Sequence, residues 1–297
     1  VTFHQIAQNR DLHHTFFCCL GLLMKKLTFG LITMAVIALS ACAPQNHHQP
    51  VSVTISFLTQ VPSLPSLKSK NDNFYSSDEK QAEKIETWLS KQIQNAEKVA
   101  DNNNADFIAF YSDQDIKKTK LAPNFSYITA LVLTPESIKK YGNTLAKTKP
   151  ILASNIDFGL SQSGNNIYAY NPNKTRADTY TQSFNGEDIA YLSLINQSKI
   201  VGAEPDSKDL AIIRHTVDRL QINGINKIIL ISQFSETVTR QLTSTIRGLD
   251  VIVAHGEKNN ANIDKSTCIA TFTSVSPLFQ TLDVTFSADG KITQCTF

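Results

Sequence analysis

Residues 207–254 read SKDLAIIRHTVDRLQINGINKIILISQFSETVTRQLTSTIRGLDVIVA, and this stretch decides the predicted fold. Apolar residues at helical spacing predict a helix over 207–222, and Asn223-Gly224 is a stop signal. A short Val/Ile/Leu run follows at 227–232, then a second helix over 235–247 that Gly248 ends, and a second apolar run at 251–254. Alternating helices and buried strands predict an α/β fold, in which sites lie at the carboxyl ends of parallel strands.

The flanking sequence extends this pattern at both ends. Strands are predicted at 51–58, 105–111, 128–133 and 151–153, and a capping box at Ser76-Ser77-Asp78-Glu79 begins a helix that runs to about Ala100. Alternating residues at 268–273, 281–286 and 291–297, with a turn at 288–290, predict that the chain ends in a β-hairpin. Asn185-Gly186 is interpreted as another hairpin turn.

The N-terminal part carries an export signal. Residues 24–42 read MKKLTFGLITMAVIALSAC, which is a cationic start, an uncharged apolar core and a small-residue cleavage site. Leu39-Ser40-Ala41-Cys42 resembles the lipobox of bacterial lipoproteins, and the alternative is an ordinary secretory signal with an incidental cysteine. The resemblance implies cleavage before Cys42, a lipid on its thiol, and anchoring in the bacterial cell envelope. Ala43 after the cysteine resembles outer-membrane sorting, so the domain is expected to face the periplasm.

These features divide the chain into four expected segments. Residues 1–23 are interpreted as an upstream start artefact, 24–41 as the signal peptide, 42–50 as a lipidated polar tether, and 51–297 as the folded domain. Removal of residues 1–42 takes away three cations and one acid, which leaves 25 basic and 25 acidic side chains. A neutral chain without a basic cluster argues against nucleic-acid binding. The expected partner is the lipid bilayer, reached through Cys42, and a protein or small-molecule partner stays unidentified.

Two cysteines remain in the domain, Cys268 and Cys295. In an oxidising compartment an isolated pair can form a disulfide, and the alternative is two buried thiols.

Several strings of the domain resemble the metallophosphoesterase domain of the secreted 5'-nucleotidase family. They are PILASNI (150–156), NGEDIAYLSL (185–194), KIILIS (227–232), GLDVIVAHGE (248–257) and TLDVTFSADGK (281–291). The resemblance implies a layered α/β/β/α sandwich that ends in a β-hairpin. It also implies two divalent metals in a box of Asp, His and Asn ligands, which clamp a phosphate and activate a water. Full-length family members carry a further nucleotide-binding domain, which is expected to be absent here.

The resemblance allows the ligands to be checked one by one. No Asp or His stands at 59–62, where the family has Asp-x-His after the first strand. Asp113 matches the bridging Asp, without the glycine that accompanies it. Glu136 is all that remains of the Gly-Asn-His-Glu motif.

The ligands of the second half are also reduced. Gln233 stands where the family has a histidine, His255 matches the first His of the last motif, and Glu257 takes the place of the second. After residue 50 the chain has only His215 and His255, and His215 is interpreted as a helix-surface or packing histidine. The candidate metal ligands are therefore Asp113, His255 and Glu257, and no catalytic residue or organic cofactor site is assigned.

Two functions remain from this pattern. The favoured one is a non-catalytic, membrane-anchored domain with a binding or envelope role and no bound cofactor. The alternative is a weak metal-dependent phosphoesterase that hydrolyses extracytoplasmic phosphate esters with Mn, Zn, Mg or Ca held by Asp113, His255 and Glu257. Trp88 and Tyr168, Tyr170, Tyr180 and Tyr191 are interpreted as packing residues, with an aromatic binding surface as the alternative.

Overall fold

A computed structural model of the chain describes residues 48–59, 105–111, 128–158, 166–198, 200, 203–273 and 279–297. All of them belong to one compact unit. The strands are β1 (Val51–Thr59), β2 (Phe107–Tyr111), β3 (Ala130–Val132), β4 (Ile151–Asp157), β5 (Ile167–Asn171), β6 (Arg176–Ala177), β7 (Tyr180–Phe184), β8 (Glu187–Leu194), β9 (Ile228–Ser235), β10 (Val251–His255), β11 (Asn260–Asp264), β12 (Thr267–Phe272), β13 (Phe279–Phe286) and β14 (Ile292–Thr296). The helices are α1 (Pro135–Leu145), α2 (Ser207–Ile222) and α3 (Glu236–Thr245). Within these described residues no helix is long and apolar enough to cross a membrane.

The described strands form two sheets. The first has the order β14-β13-β1-β2-β3-β4-β5-β6 and the second the order β11-β12-β10-β9-β8-β7. Strands β1 to β5 run parallel in the first sheet, as do β8, β9, β10 and β12 in the second. We call the edge where these parallel strands begin the amino edge, and the edge where they end the carboxyl edge.

The layers follow from three apolar clusters. One fills the space between the sheets, with residues such as Ile55 and Phe107 facing Ile229 and Val253. The second joins the outer face of the first sheet to α1, and the third joins the outer face of the second sheet to α2 and α3. The predicted α/β/β/α sandwich is confirmed, and the chain ends in the β13–β14 hairpin as expected.

The local sequence of helix α2 determines where this helix begins and ends and which face is buried. The Asp206 side chain caps its start by accepting a hydrogen bond from the Asp209 amide at 2.7 Å. At its end Gly224 has φ 86°, and the Ile225 amide bonds the Leu220 carbonyl at 3.0 Å. Ile213, Val217 and Leu220 are buried against the second sheet, so the predicted apolar face is the packed face.

The other local predictions have mixed outcomes. The turn at Asn185-Gly186 joins antiparallel β7 and β8, and both residues have positive φ, as a two-residue hairpin turn requires. Helix α1 and strands β5 and β11 were not predicted. The predicted helix over 76–100 lies outside the described residues. His215 is an exposed residue of α2 whose Nδ1 lies 2.9 Å from the Thr175 carbonyl oxygen, which agrees with its reading as a helix-surface histidine.

A buried ion pair lies at the amino edge. Lys227 is fully buried, and its Nζ lies 2.8 Å from Glu187 Oε2 and 2.9 Å from Asn226 Oδ1. His48 Nδ1 contacts the same Glu187 oxygen at 2.8 Å, and the Gln49 amide donates to Oε1 at 2.6 Å. Burial raises the pKa of the Glu187 carboxyl, but the hydrogen bonds from Lys227, His48 and Gln49 outweigh it and hold this pKa below its usual value. The segment before β1 is therefore fixed to the second sheet.

A disulfide joins the two sheets. Cys268 on β12 and Cys295 on β14 are bonded, with their Cα atoms 6.2 Å apart and a sequence separation of 27. Because β12 belongs to the second sheet and β14 to the first, the bridge ties the sheets together at one side of the sandwich. The disulfide interpretation is thus confirmed against two buried thiols.

Reduction of this bridge is expected to lower the free energy of unfolding by about 3 to 4 kcal/mol, because a closed loop of this length restricts the unfolded chain. Urea unfolding of the protein with and without reductant measures the change. A Cys268→Ala/Cys295→Ala variant is the control, since reductant should leave its midpoint unchanged. An equal midpoint for the reduced and oxidised parent protein would contradict the prediction.

Candidate functional site at the carboxyl edge

The carboxyl ends of the two sheets meet over an aromatic cluster. Phe57 of β1 and Phe272 of β12 are fully buried, and their rings stack with centroids 5.4 Å apart. Tyr111, the last residue of β2, packs edge-on against Phe272 at 5.2 Å. These three rings fill the space between the sheets next to the strand ends, and we call them the aromatic plug.

His255 lies beside this plug. His255 ends β10, and its half-buried ring packs edge-on against Phe272 with centroids 6.1 Å apart. Gly256 follows in a tight position, because a Cβ there would lie only 2.8 Å from Cβ of Thr271. Glu257 is exposed in the turn after it. Asp113, the third predicted ligand, lies outside the described residues.

A bulge in β9 turns Gln233 away from the ladder. Ala254 pairs with Ser232, but His255 pairs with Ser235, so β9 has two extra residues at this point. Phe234 is buried in the apolar cluster with α3, while Gln233 Oε1 accepts a hydrogen bond from the Asn196 amide at 3.2 Å. Gln233 therefore ties the end of β9 to the chain that leaves β8.

A second bulge, in β4, joins the two sheets. Ala153 pairs with Ala169, but Asp157 pairs with Tyr170, so Ser154, Asn155 and Ile156 leave the ladder. The Ser154 amide bonds Ser193 Oγ at 3.2 Å, and the Ser193 amide bonds Ser154 Oγ at 3.1 Å.

Asn155 continues this contact at the next residue. Its Nδ2 donates to the Ile195 carbonyl at 2.9 Å, and its Oδ1 accepts from the Ile195 amide at 2.8 Å. All four residues are buried. We call these two reciprocal pairs the β4–β8 clasp.

A buried carboxylate lies next to the clasp. Gln197 Nε2 is 3.3 Å from the Asn155 carbonyl and 3.1 Å from Asp209 Oδ1. Asp209 is 4% exposed, and burial raises the pKa of its carboxyl to about 6, although hydrogen bonds from Asn155 and Gln197 lower it in part. Sequence reasoning gave no role to Asn155, Gln197 or Asp209, although Ser154-Asn155 lay in one of the resembling strings.

Amides also line the other side of the edge. Asn259 Nδ2 donates to Gln280 Oε1 at 2.7 Å, and Asn259 Oδ1 accepts from the Thr273 amide at 3.0 Å. Asn259 thereby joins the loop after β10 to β12 of its own sheet and to β13 of the first sheet.

The donors described at this edge are mostly neutral amides. A two-metal box needs several anionic or imidazole groups that converge on metals about 4 Å apart. Among residues 48–59, 105–111, 128–158, 166–198, 200, 203–273 and 279–297, no group of three or more His, Cys, Asp or Glu side chains is close enough to hold a metal. The amides of Asn155, Gln233 and Asn259 already bond neighbouring groups of the protein.

The fold has counterparts among solved structures. A 5'-nucleotidase precursor from Thermus thermophilus matches 83% of this chain and 54% of its own, with a TM-score of 0.53 and 13% sequence identity. The NAD nucleotidase of Haemophilus influenzae matches 84% of this chain and 50% of its own, with a TM-score of 0.52 and 14% identity. The chain thus spans about half the length of these two proteins. No protein-family model and no curated protein matches the sequence. The chain therefore has a 5'-nucleotidase-like metallophosphoesterase fold.

Asn155→Ala tests the clasp. Because Ile195 is fully buried, loss of the amide leaves its N–H and C=O without these bonds. The free energy of unfolding is expected to fall by about 2 to 5 kcal/mol. Urea unfolding measures the change, and Asn173→Ala in an exposed turn is the matched control, with an expected effect within about 0.5 kcal/mol. Equal midpoints for the two variants would argue against the clasp.

Asp209→Asn tests the buried carboxylate through pH. The raised pKa means that between about pH 4 and pH 6 the folded protein keeps a proton that the unfolded chain has lost, so stability falls as pH rises through this range. The variant lacks this titration. Its stability relative to the parent should therefore rise by about 1 to 3 kcal/mol from pH 4 to pH 7. Unfolding midpoints across this range measure the difference, and a constant difference would contradict the assignment. Asn173→Ala, which removes no titrating group, is the control.

Proposed function

We propose that this chain is a lipid-anchored, non-catalytic domain derived from a 5'-nucleotidase-like metallophosphoesterase, with a binding or envelope role. The observation that carries the proposal is the hydrogen bond that Gln233 accepts. Gln233 stands at the end of β9, where the resemblance calls for a histidine ligand, and its oxygen accepts a hydrogen bond from the Asn196 amide. A structural role has replaced a ligand role at this position.

The surrounding chemistry supports the same proposal. Phosphate ester hydrolysis at two metals needs anionic ligands that lower the pKa of a bound water. A neutral amide oxygen contributes far less to such a centre than a carboxylate or an imidazole. The aromatic plug also places Phe272 against His255 and so presents an apolar ring on one side of the imidazole.

The anchor rests on the sequence of residues 24–42, which resembles a lipoprotein signal. The disulfide between Cys268 and Cys295 supports export, because such bonds persist in oxidising compartments such as the periplasm. Together they favour a domain held at the bacterial envelope. The proposed location is the outer membrane, with the domain facing the periplasm.

A second candidate function has its own support. The two structural counterparts described above are nucleotidases by name, and His255 lies at a strand end at the carboxyl edge. The rival is therefore a weak metal-dependent phosphoesterase that uses Asp113, His255 and Glu257 to hold Mn, Zn, Mg or Ca.

One experiment separates the two. The protein is expressed with its signal, purified from membranes, and analysed for bound Mn, Zn, Ca and Mg. It is then assayed with 5'-AMP, NAD and a generic phosphodiester in the presence of each metal. We expect no bound metal at stoichiometric level and no activity above the blank, in a protein that still unfolds cooperatively.

His255→Ala is the decisive variant, with His215→Ala on the surface of α2 as its matched control. Hydrolysis that His255→Ala abolishes and His215→Ala retains would overturn the non-catalytic proposal and establish the rival. Identical background rates for the parent and both variants would eliminate the rival.

A further inference from the structure

The amino edge is where the chain enters the domain. Glu187 holds His48 and Gln49 at this edge, and β1 begins two residues later. Strand β1 has nine residues, so it carries the chain about 30 Å from the amino edge toward the carboxyl edge. The candidate site therefore lies at the edge away from the point of entry.

The proposed anchor is close to this entry point along the chain. Five residues, 43–47, separate Cys42 from His48. Fully extended, this segment reaches at most about 20 Å. A lipid on Cys42 therefore keeps the amino edge near the bilayer surface. The candidate site lies farther from the bilayer by about the length of β1.

The loops at the amino edge carry exposed cations. Lys147 precedes β4, Arg247 precedes β10, and Lys265 precedes β12. None of the three forms a salt bridge with the described residues. Lys291, in the turn between β13 and β14, is 75% exposed and pairs with Asp289.

Acidic side chains also lie at this edge, and two of them accept hydrogen bonds from protein groups. Asp250 Oδ2 accepts from the Ile228 amide at 2.7 Å, and burial raises the pKa of Asp250 to about 7. Asp188 on β8 bonds Ser183, and Asp264 ends β11 in a half-buried position. The described cations and acids named at this edge are equal in number. The short segment after Cys42 would therefore set the orientation of an anchored domain, and Lys147, Arg247 and Lys265 would add contacts to headgroups.

We propose that the amino edge is the face that the domain turns to its membrane, where Lys147, Arg247 and Lys265 contact anionic lipid headgroups. The candidate site then opens away from this bilayer, and its ligand arrives from the aqueous phase. This inference rests on the anchor in the proposed function. Exposed Lys and Arg side chains near an anionic surface are attracted to it, and the attraction fades within a Debye length.

Helix α2 provides matched positions for the test, because Ser207 and Ile222 are its two exposed ends. Ser207 lies at the carboxyl edge and Ile222 at the amino edge, about 22 Å apart along the helix axis. The full chain is produced with its signal as Ser207→Cys or Ile222→Cys, labelled with a fluorophore, and reconstituted in vesicles of phosphatidylethanolamine and phosphatidylglycerol. A quencher attached to lipid headgroups reports proximity, and urea unfolding checks that both variants are folded.

Quenching is expected to be about threefold or more stronger for Ile222→Cys, because the two labels differ by most of the helix length in distance from the headgroups. Lys147→Gln/Arg247→Gln/Lys265→Gln, or vesicles of zwitterionic lipid alone, should reduce this difference. Equal quenching at the two ends, or stronger quenching at Ser207→Cys, would overturn the proposal. A preference that neither change reduces would overturn the role of the three cations.

Failure of the anchor gives a different result. If mass spectrometry finds no lipid on Cys42, the anchor in the proposed function is wrong, and the labelled chain is added to preformed anionic vesicles at low salt. Binding with the same preference for Ile222→Cys would still support the surface, and no binding would overturn it.

Discussion

The β4–β8 clasp is the contact on which the carboxyl edge depends. Between the sheets, apolar side chains hold the two layers together, but strand ends carry polar backbone groups that apolar contacts cannot satisfy. The bulge in β4 solves this by turning Ser154 and Asn155 toward β8, where each exchanges two hydrogen bonds with the opposite chain. The disulfide ties the sheets at the other side of the sandwich, between β12 and β14.

The same clasp constrains what this edge can do chemically. An amide that completes the bonds of a buried backbone is not available to bind a metal, and moving it leaves those backbone groups unsatisfied at a cost of about 1 to 3 kcal/mol each. Gln233 and Asn259 each accept a hydrogen bond from a backbone amide of a neighbouring segment, that of Asn196 and that of Thr273. These amides at the carboxyl edge are held in neutral hydrogen bonds, and Gln233 is the one among them that stands where the resemblance implies a histidine. This connects the stability of the sandwich to the proposed loss of catalysis.

Sequence reasoning predicted the periodic features and missed the long-range polar ones. Helix α2 has the predicted bounds because its cap, stop signal and apolar face all lie within one local stretch. Helix α1 was missed because it buries only Ser137, Ile138 and Gly142, which gives almost no apolar pattern. The contacts between Asn155 and Ile195 and between Lys227 and Glu187 each join residues 40 positions apart. No local pattern encodes such a pair, and a bulge that redirects a side chain leaves the sequence periodicity almost unchanged.

Parallel strands separate the proposed anchor of this domain from its candidate site. In a parallel sheet every strand starts at one edge and ends at the other, so a segment before β1 must lie at the amino edge while strand-end side chains lie at the carboxyl edge. His48, which precedes β1, bonds Glu187 at the amino edge. His255 and Gln233, which stand at strand ends, lie at the carboxyl edge. The topology alone therefore places an anchor before β1 and a site at the strand ends at opposite edges of the domain. The separation needs no evolved hinge or spacer, and it would persist in any relative with this strand order, whether or not its site still binds metal.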